Sequence, residues 1–195
     1  MAKVSLKCSC GAVQGTANDI TPSSGNRVIC YCDDCQAFAE YLSATDKILD
    51  ENGGTDIFQT TPSQIKINKG IEKVRCIRLS PNGMFRWYTE CCQTPIGNTI
   101  SAGGPFVGII HNFMDDYNSR DENLGPVRGH IHVKFAKDSL PKRLRESGFP
   151  FRMIMRTISK MLVWKIRGLD KPSPFFDLDG NPVSQPNILE PMAKN

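Results

Sequence analysis

The chain has 195 residues, 39% of them hydrophobic and 23% charged, with a net charge of +4, which fits one globular domain able to bury a core. The mild charge gives no argument by itself for nucleic acid or a membrane surface as a partner. The opening MAKVSLKCSC lacks the apolar stretch of a secretory signal, and no apolar run approaches the roughly 20 residues of a membrane span, so a cytoplasmic protein is expected.

In chain order, Val4 to Lys7 alternates like a short strand and runs into Cys8-Ser9-Cys10-Gly11, and Ala12 to Thr16 reads as a second strand. A loop at Thr21–Asn26 precedes a strand over Arg27 to Ile29, which leads to Cys30-Tyr31-Cys32-Asp33-Asp34-Cys35 and a short helix over Gln36 to Leu42. Strands follow at Thr55 to Thr60, Gln64 to Asn68 and Lys73 to Leu79, the last pairing through Pro81-Asn82-Gly83 with Met84 to Tyr88. Phe106 to Phe113 is apolar, and His130 to Phe135 alternates. Short strands between Gly/Pro loops point to a mainly β fold of small packed β-sheets.

The last part changes character. Pro150 and Gly168 bracket an amphipathic helix over about 150–167, with Ile154, Ile158, Met161 and Leu162 on an apolar face. Arg152, Arg156 and Lys160 recur four apart on a basic face, expected to be solvated, while Met161 and Trp164 pack on the body. A Pro-rich tail follows. The expected organisation is a zinc-binding β domain at 1–136 and a C-terminal extension at 137–195.

Seven of the eight cysteines fall into tight groups: Cys8 with Cys10; Cys30, Cys32 and Cys35; Cys91 with Cys92. In a reducing compartment such clusters point to metal rather than to disulfides. Zinc takes thiolate sulfur at about 2.3 Å in tetrahedral sites, and Cys-x-x-Cys or a sharply bent Cys-x-Cys brings two sulfurs to one ion. Gly11 supplies backbone freedom for such a bend. Cys30, Cys32 and Cys35 make a three-ligand set, and Cys8 and Cys10 need two more ligands, which Cys91 and Cys92 can supply. Four sulfurs close a structural site, whereas three leave a position for water or substrate, as in catalytic sites. A thiol entering there would be held as thiolate. Cys76, alone in its strand, reads as a small buried side chain.

Cys8-Ser9-Cys10-Gly11 and Cys30-Tyr31-Cys32-Asp33-Asp34-Cys35, with Gly53-Gly54-Thr55, Ile57-Phe58-Gln59 and His130-Ile131-His132-Val133, resemble the glutathione-dependent formaldehyde-activating enzyme family, which includes centromere protein V, over roughly residues 5–136. The resemblance implies a tent-like fold of packed sheets. It implies one structural zinc at Cys8, Cys10 and a downstream pair, and a second, catalytic zinc at Cys30, Cys32 and Cys35 that receives the glutathione sulfur. It implies carbon–sulfur lyase chemistry, joining glutathione and formaldehyde into S-hydroxymethylglutathione. The third motif departs from the family's Cys-x-x-Cys-Gly: Cys92 aligns with the last cysteine, Thr89 stands for the first and Gln93 for the glycine. Neighbouring side chains on an extended chain point apart. Three arrangements follow: Cys91 and Cys92 share the structural zinc after local distortion, Cys91 instead closes the Cys30 set, or Cys91 is a bystander; the first is favoured. Gln36 in place of a basic residue, and the C-terminal extension, mark a divergent branch whose substrate need not be glutathione.

Asp33, Asp34 and Glu90, beside the cysteine motifs, are candidates for proton transfer but read first as solvated turn residues. His130 and His132, on one face of the expected strand, and His111 read first as side chains satisfied within the fold. Two functions remain: a zinc-dependent carbon–sulfur lyase acting on an adduct of a small thiol and an aldehyde, or a non-catalytic zinc-stabilised binding module using the basic helix. Nucleic acid is the less expected partner.

Overall fold

The computed structural model describes residues 1–115, 120–137, 140–145 and 151–189. They form β1 (Ala2–Lys7), β2 (Gln14–Ile20), β3 (Asn26–Cys30), α1 (Asp33–Tyr41), α2 (Thr45–Ile48), β4 (Thr55–Thr60), β5 (Ile65–Lys69), β6 (Val74–Arg78), β7 (Phe85–Thr89), β8 (Pro95–Thr99), β9 (Val107–Ile110), α3 (Arg120–Leu124), β10 (Gly129–Ile131), α4 (Lys142–Arg145), α5 (Phe151–Ile166) and β11 (Asn187–Ile188). The protein is mainly β, as its short alternating runs require. A three-stranded antiparallel sheet has the order β1-β2-β5, and a larger one the order β10-β3-β4-β9-β8-β7-β6-β11. The larger sheet is antiparallel inside and gains a parallel strand at each edge, β10 on β3 and β11 on β6.

Period-two alternation explains why the larger sheet is covered on both faces. Phe58, Cys76 and Ile109 pack with Val4, Leu6, Ala17 and Ile65 of the small sheet. Their sequence neighbours Ile57, Ile77 and Ile110 pack with Phe38, Ala39 and Leu42 around α1. The layers are thus small sheet, large sheet and helix. Cys76 is buried as its context predicts, and burial pushes its thiol up to about 12.

Strand β8 is absent from the sequence reading because Pro95, Gly97 and Asn98 look like breakers. Its five residues are all buried. Pro95 is tolerated as the first residue of the strand. A Cβ on Gly97 would lie 2.5 Å from the Gly108 carbonyl oxygen, so the approach of β9 demands glycine. A second difference concerns β10, which ends at Ile131. His132 has φ +56°, in the left-handed region, and a 3-10 turn follows over Val133–Phe135, so His130 and His132 do not share a strand face.

The C-terminal helix is present and buries Trp164 as expected, but the Ile158–Leu162 side of its apolar face is turned outward. Arg156 donates to Asn26 Oδ1 at 2.7 Å, Thr157 donates to Gln59 Oε1 at 3.3 Å, and Lys160 donates to the Ser23 carbonyl. The body surface beneath α5 is polar, so it takes the side of the helix that can hydrogen-bond, while Trp164 fills the gap under the Lys160 ammonium. Ile158 and Leu162, expected to face the core, are 53% and 62% exposed. The C-terminus of α5 has the expected glycine stop: Gly168 has φ +67°, and its amide and that of Leu169 donate to the carbonyls of Lys165 and Trp164. The predicted start at Pro150 lies outside the described residues. No helix among the described residues is long and apolar enough to cross a membrane.

Beyond α5 the tail is packed on the body. Phe175 is fully buried and stacks on Trp87 with ring centroids 5.0 Å apart, and Phe176 meets Trp87 and Phe85 edge-on. Asn187 and Ile188 then pair with Ile77 and Arg78.

Candidate metal centre

Two turns from different sheets build the first cysteine site. Cys8 and Cys10 occupy the turn between β1 and β2, and Cys91 and Cys92 that between β7 and β8. Sγ of Cys8 lies 3.6 Å from that of Cys10 and 3.9 Å from that of Cys91, Cys10 to Cys91 is 3.4 Å, and Cys91 to Cys92 is 3.8 Å. Tetrahedral bonds of 2.3 Å to zinc place sulfurs about 3.8 Å apart, so this set fits the ion. Of the three arrangements open from sequence, the geometry shows the first: Cys91 and Cys92 both join Cys8 and Cys10.

The adjacent pair can converge because Glu90–Cys91–Cys92 is a turn rather than extended chain. Gln93 closes it at φ +54°, the conformation the family's glycine would take, with its amide donating to the Thr89 carbonyl at 2.9 Å. Gly11 plays the same part in the other turn at φ +75°. Gln93 is exposed, so Gln93→Gly is expected to relieve strain and stabilise the fold by about 0.5–1 kcal/mol, read as a rise in melting temperature.

Hydrogen bonds also prepare the sulfurs. The Val13 amide donates to Cys8 Sγ at 3.2 Å. Burial opposes ionisation of Cys92, but the Ser9, Thr89 and Thr94 hydroxyls and the Cys10 amide outweigh it and hold the thiol down at about 5. Burial and neighbouring thiols push Cys8 up and take Cys91 to about 12. Four sulfurs this close ionise together only around a cation. The turns are further tied by the Ser9 amide donating to Thr94 Oγ1 at 3.1 Å. A cleft of about 710 Å³ opens beside this site, lined by Cys8, Cys92, Ser43, Lys47 and Asn112 among others.

The second site sits at the start of α1. Cys32 caps the helix, its Sγ accepting from the Cys35 amide at 3.4 Å, and Cys30 Sγ lies 3.4 Å from Cys32 Sγ. Cys30 and Cys35 are buried and Cys32 is partly exposed, so the set is reached from the Cys32 side. Its ligand atoms lie within 4.8 Å of one another, and among the described residues no fourth His, Cys, Asp or Glu joins them. The positive end of α1 favours thiolates here. Hydrogen bonds with Cys30 and Cys32 hold Cys35 well below the usual thiol range, with help from Arg86, while the same contacts and burial push Cys30 far up.

Arg86 is the functional residue that the sequence reading missed. It lies in β7, 52 positions from Asp34, and nothing in its local pattern separates it from a surface arginine. The structure buries it to 2% exposure, with Nη1 4.0 Å from Cys35 Sγ and 3.4 Å from Asn98 Oδ1, and Nη2 3.1 Å from Asp34 Oδ2. It supplies a fixed positive charge beside Cys35, the sulfur it helps to hold low. Arg86→Gln is expected to weaken metal retention at the three-cysteine set by about 10–100-fold, as loss of a supporting contact does, and to spare the four-cysteine set. Competition with a chromogenic chelator reads both.

The remaining candidates have structural partners. Asp34 pairs with Arg86, Asp33 accepts from the Asp34 amide at 3.0 Å, and Glu90 pairs with Arg75. Gln36 donates to the carbonyls of Tyr31 and Phe135, tying the cysteine turn to the chain after β10. His130 Nδ1 lies 3.1 Å from the Tyr31 hydroxyl with the rings stacked, so it buttresses the Cys30–Cys32 turn. His111 Nδ1 lies 3.3 Å from the Asp56 carbonyl oxygen, and burial lowers its pKa.

The sequence matches DUF6151, described as a family of unknown function, over residues 1–187. No curated protein matches it. Among solved structures, a Rhodobacter sphaeroides protein determined as a structural-genomics target is similar, at 17% identity and a TM-score of 0.45, with 65% of this chain and 97% of that chain covered. The cysteine clusters are of the kind typical of zinc folds like those of the formaldehyde-activating enzymes and centromere protein V.

Proposed function

We propose that this chain, which belongs to the DUF6151 family, binds two zinc ions and acts as a carbon–sulfur lyase on the adduct of a small thiol and an aldehyde. The observation that carries this reading is the unequal pair of cysteine sets, four sulfurs at one and three at the other. The four-cysteine set is structural: it fastens the turn of the small sheet to the turn of the large one. The three-cysteine set leaves a coordination position for substrate. Zinc held there would lower the pKa of a bound thiol and present it ionised at neutral pH.

The chain's own residues supply the rest. The α1 N-terminus and Arg86 offset the charge that accumulates when three thiolates gather. Cleavage of a hydroxymethyl-type adduct breaks the carbon–sulfur bond, returns its electron pair to sulfur and releases the hydroxyl proton. This reading assigns that proton to Asp34, in the first turn of α1, whose side chain is 53% exposed while it pairs with Arg86. Glutathione is the thiol that the resemblance suggests, and a cytoplasmic setting would provide it.

X-ray absorption on zinc-loaded protein tests the reading. Millimolar glutathione is expected to raise the average sulfur coordination of zinc. An unchanged zinc shell overturns the lyase proposal. The second reading, a zinc-stabilised binding module without turnover, is favoured by the outward apolar face of α5 rather than by its basic face, since Arg156 and Lys160 bond to the body.

A further inference from the structure

We propose that α5 docks this protein on an anionic membrane surface, with the helix lying in the plane of the lipid headgroups. Phe151, Met155, Ile158, Leu162 and Ile166 are 62%, 47%, 53%, 62% and 77% exposed. Their spacing of three and four places them on one stripe along the helix, which is about 24 Å long. The opposite side, through Met153, Arg156, Thr157, Lys160 and Trp164, holds the helix to the body. The outward stripe is therefore the side left for a partner, and a helix already formed and capped loses little entropy on docking.

Charge selects the occupant. The helix sequence FRMIMRTISKMLVWKI contains no carboxylate. Between positions 140 and 167 there are eight Lys or Arg and one Glu, whereas the whole chain has 24 and 20, so the rest of the protein is net acidic. Arg152 flanks the stripe on one side, where its long cationic side chain can reach lipid phosphates while the apolar residues enter the acyl boundary; Lys165, on the other flank, is already bonded to Asp170 and the Gly103 carbonyl. A second copy of the same helix would bring like charges together, which disfavours a symmetric pair. Sixteen residues are too few to span the bilayer, so the helix lies on the surface.

Flotation of the zinc-loaded full chain with vesicles tests the proposal. Binding is expected to phosphatidylcholine vesicles containing phosphatidylserine, to fall with salt, and to be weak with phosphatidylcholine alone. The double variant Ile158→Ser, Leu162→Ser removes only exposed apolar groups. It is expected to lose about tenfold or more in vesicle partition while keeping its melting temperature and zinc content. Absence of flotation with anionic vesicles, equal flotation of the double variant, or a solution dimer that the double variant dissociates would each overturn the proposal. None of these results bears on the cysteine sites, so this inference and the lyase reading fail separately.

Discussion

Cys91→Ser is expected to remove one of two zinc ions and to lower the melting temperature by roughly 8–16 °C. Cys91 lies within 3.9 Å of the sulfurs of Cys8, Cys10 and Cys92, so it belongs to the four-cysteine set and not to the three-cysteine one. A metal held there would tie two turns about 80 residues apart that belong to different sheets. An ion present at about a thousand times its dissociation constant stabilises the folded state by about 4 kcal/mol, and the temperature shift follows from that. Zinc analysis of the purified variant and a thermal melt provide the measurement. Cys30→Ser makes the contrast: it should also lose one zinc but melt closer to the parent, because its set runs only from the end of β3 into the first turn of α1 and closes no long loop. If Cys91→Ser kept both ions at parental affinity, the assignment of Cys91 would fail.

Phe175→Ala should destabilise the fold by about 3–5 kcal/mol, as expected when a large aromatic is deleted from a packed core. The ring is fully buried and stacks on Trp87, whose indole donates to Thr99 Oγ1 at 2.9 Å. Phe85 and Phe176 complete the aromatic cluster, so no neighbouring chain can slide in to refill the cavity without breaking those contacts. Denaturant unfolding followed by tryptophan fluorescence reads the loss. A change below about 1 kcal/mol would mean that the tail is not part of the core.

Some of this was open to inspection of the residues and some was not. The strand over Thr55–Thr60 matches the expectation residue for residue, and those over Ile65–Lys69, Val74–Arg78 and Phe85–Thr89 match it within a residue at each end. Their alternation is local and strong. The β2 strand runs on to Ile20, past the expected end at Thr16, because Ile20 pairs with Ala2 of β1 beyond an irregularity that holds polar Asn18 and Asp19. The helix after Cys35 begins earlier than expected, at Asp33, because Cys32 serves as its cap.

By itself the sequence determined the chemistry that can occur: which cysteines cluster along the chain, and that a mainly β body ends in an amphipathic helix. Those features depend on residue type and short-range spacing, which the chain carries wherever it goes. The division into four and three waited on where Cys91 lies. Only the tertiary structure decided which way that helix faces, since α5 has an apolar stripe and a hydrogen-bonding side and the choice depends on the polar surface of Asn26, Gln59 and Ser23 beneath it. It alone brought Arg86 to Cys35, turned Gln93 left-handed so that adjacent cysteines converge, and seated Phe175 on Trp87. Each of these is a contact between segments distant in sequence or a backbone twist that such a contact enforces, and no pattern of spacing along one strand or helix encodes it.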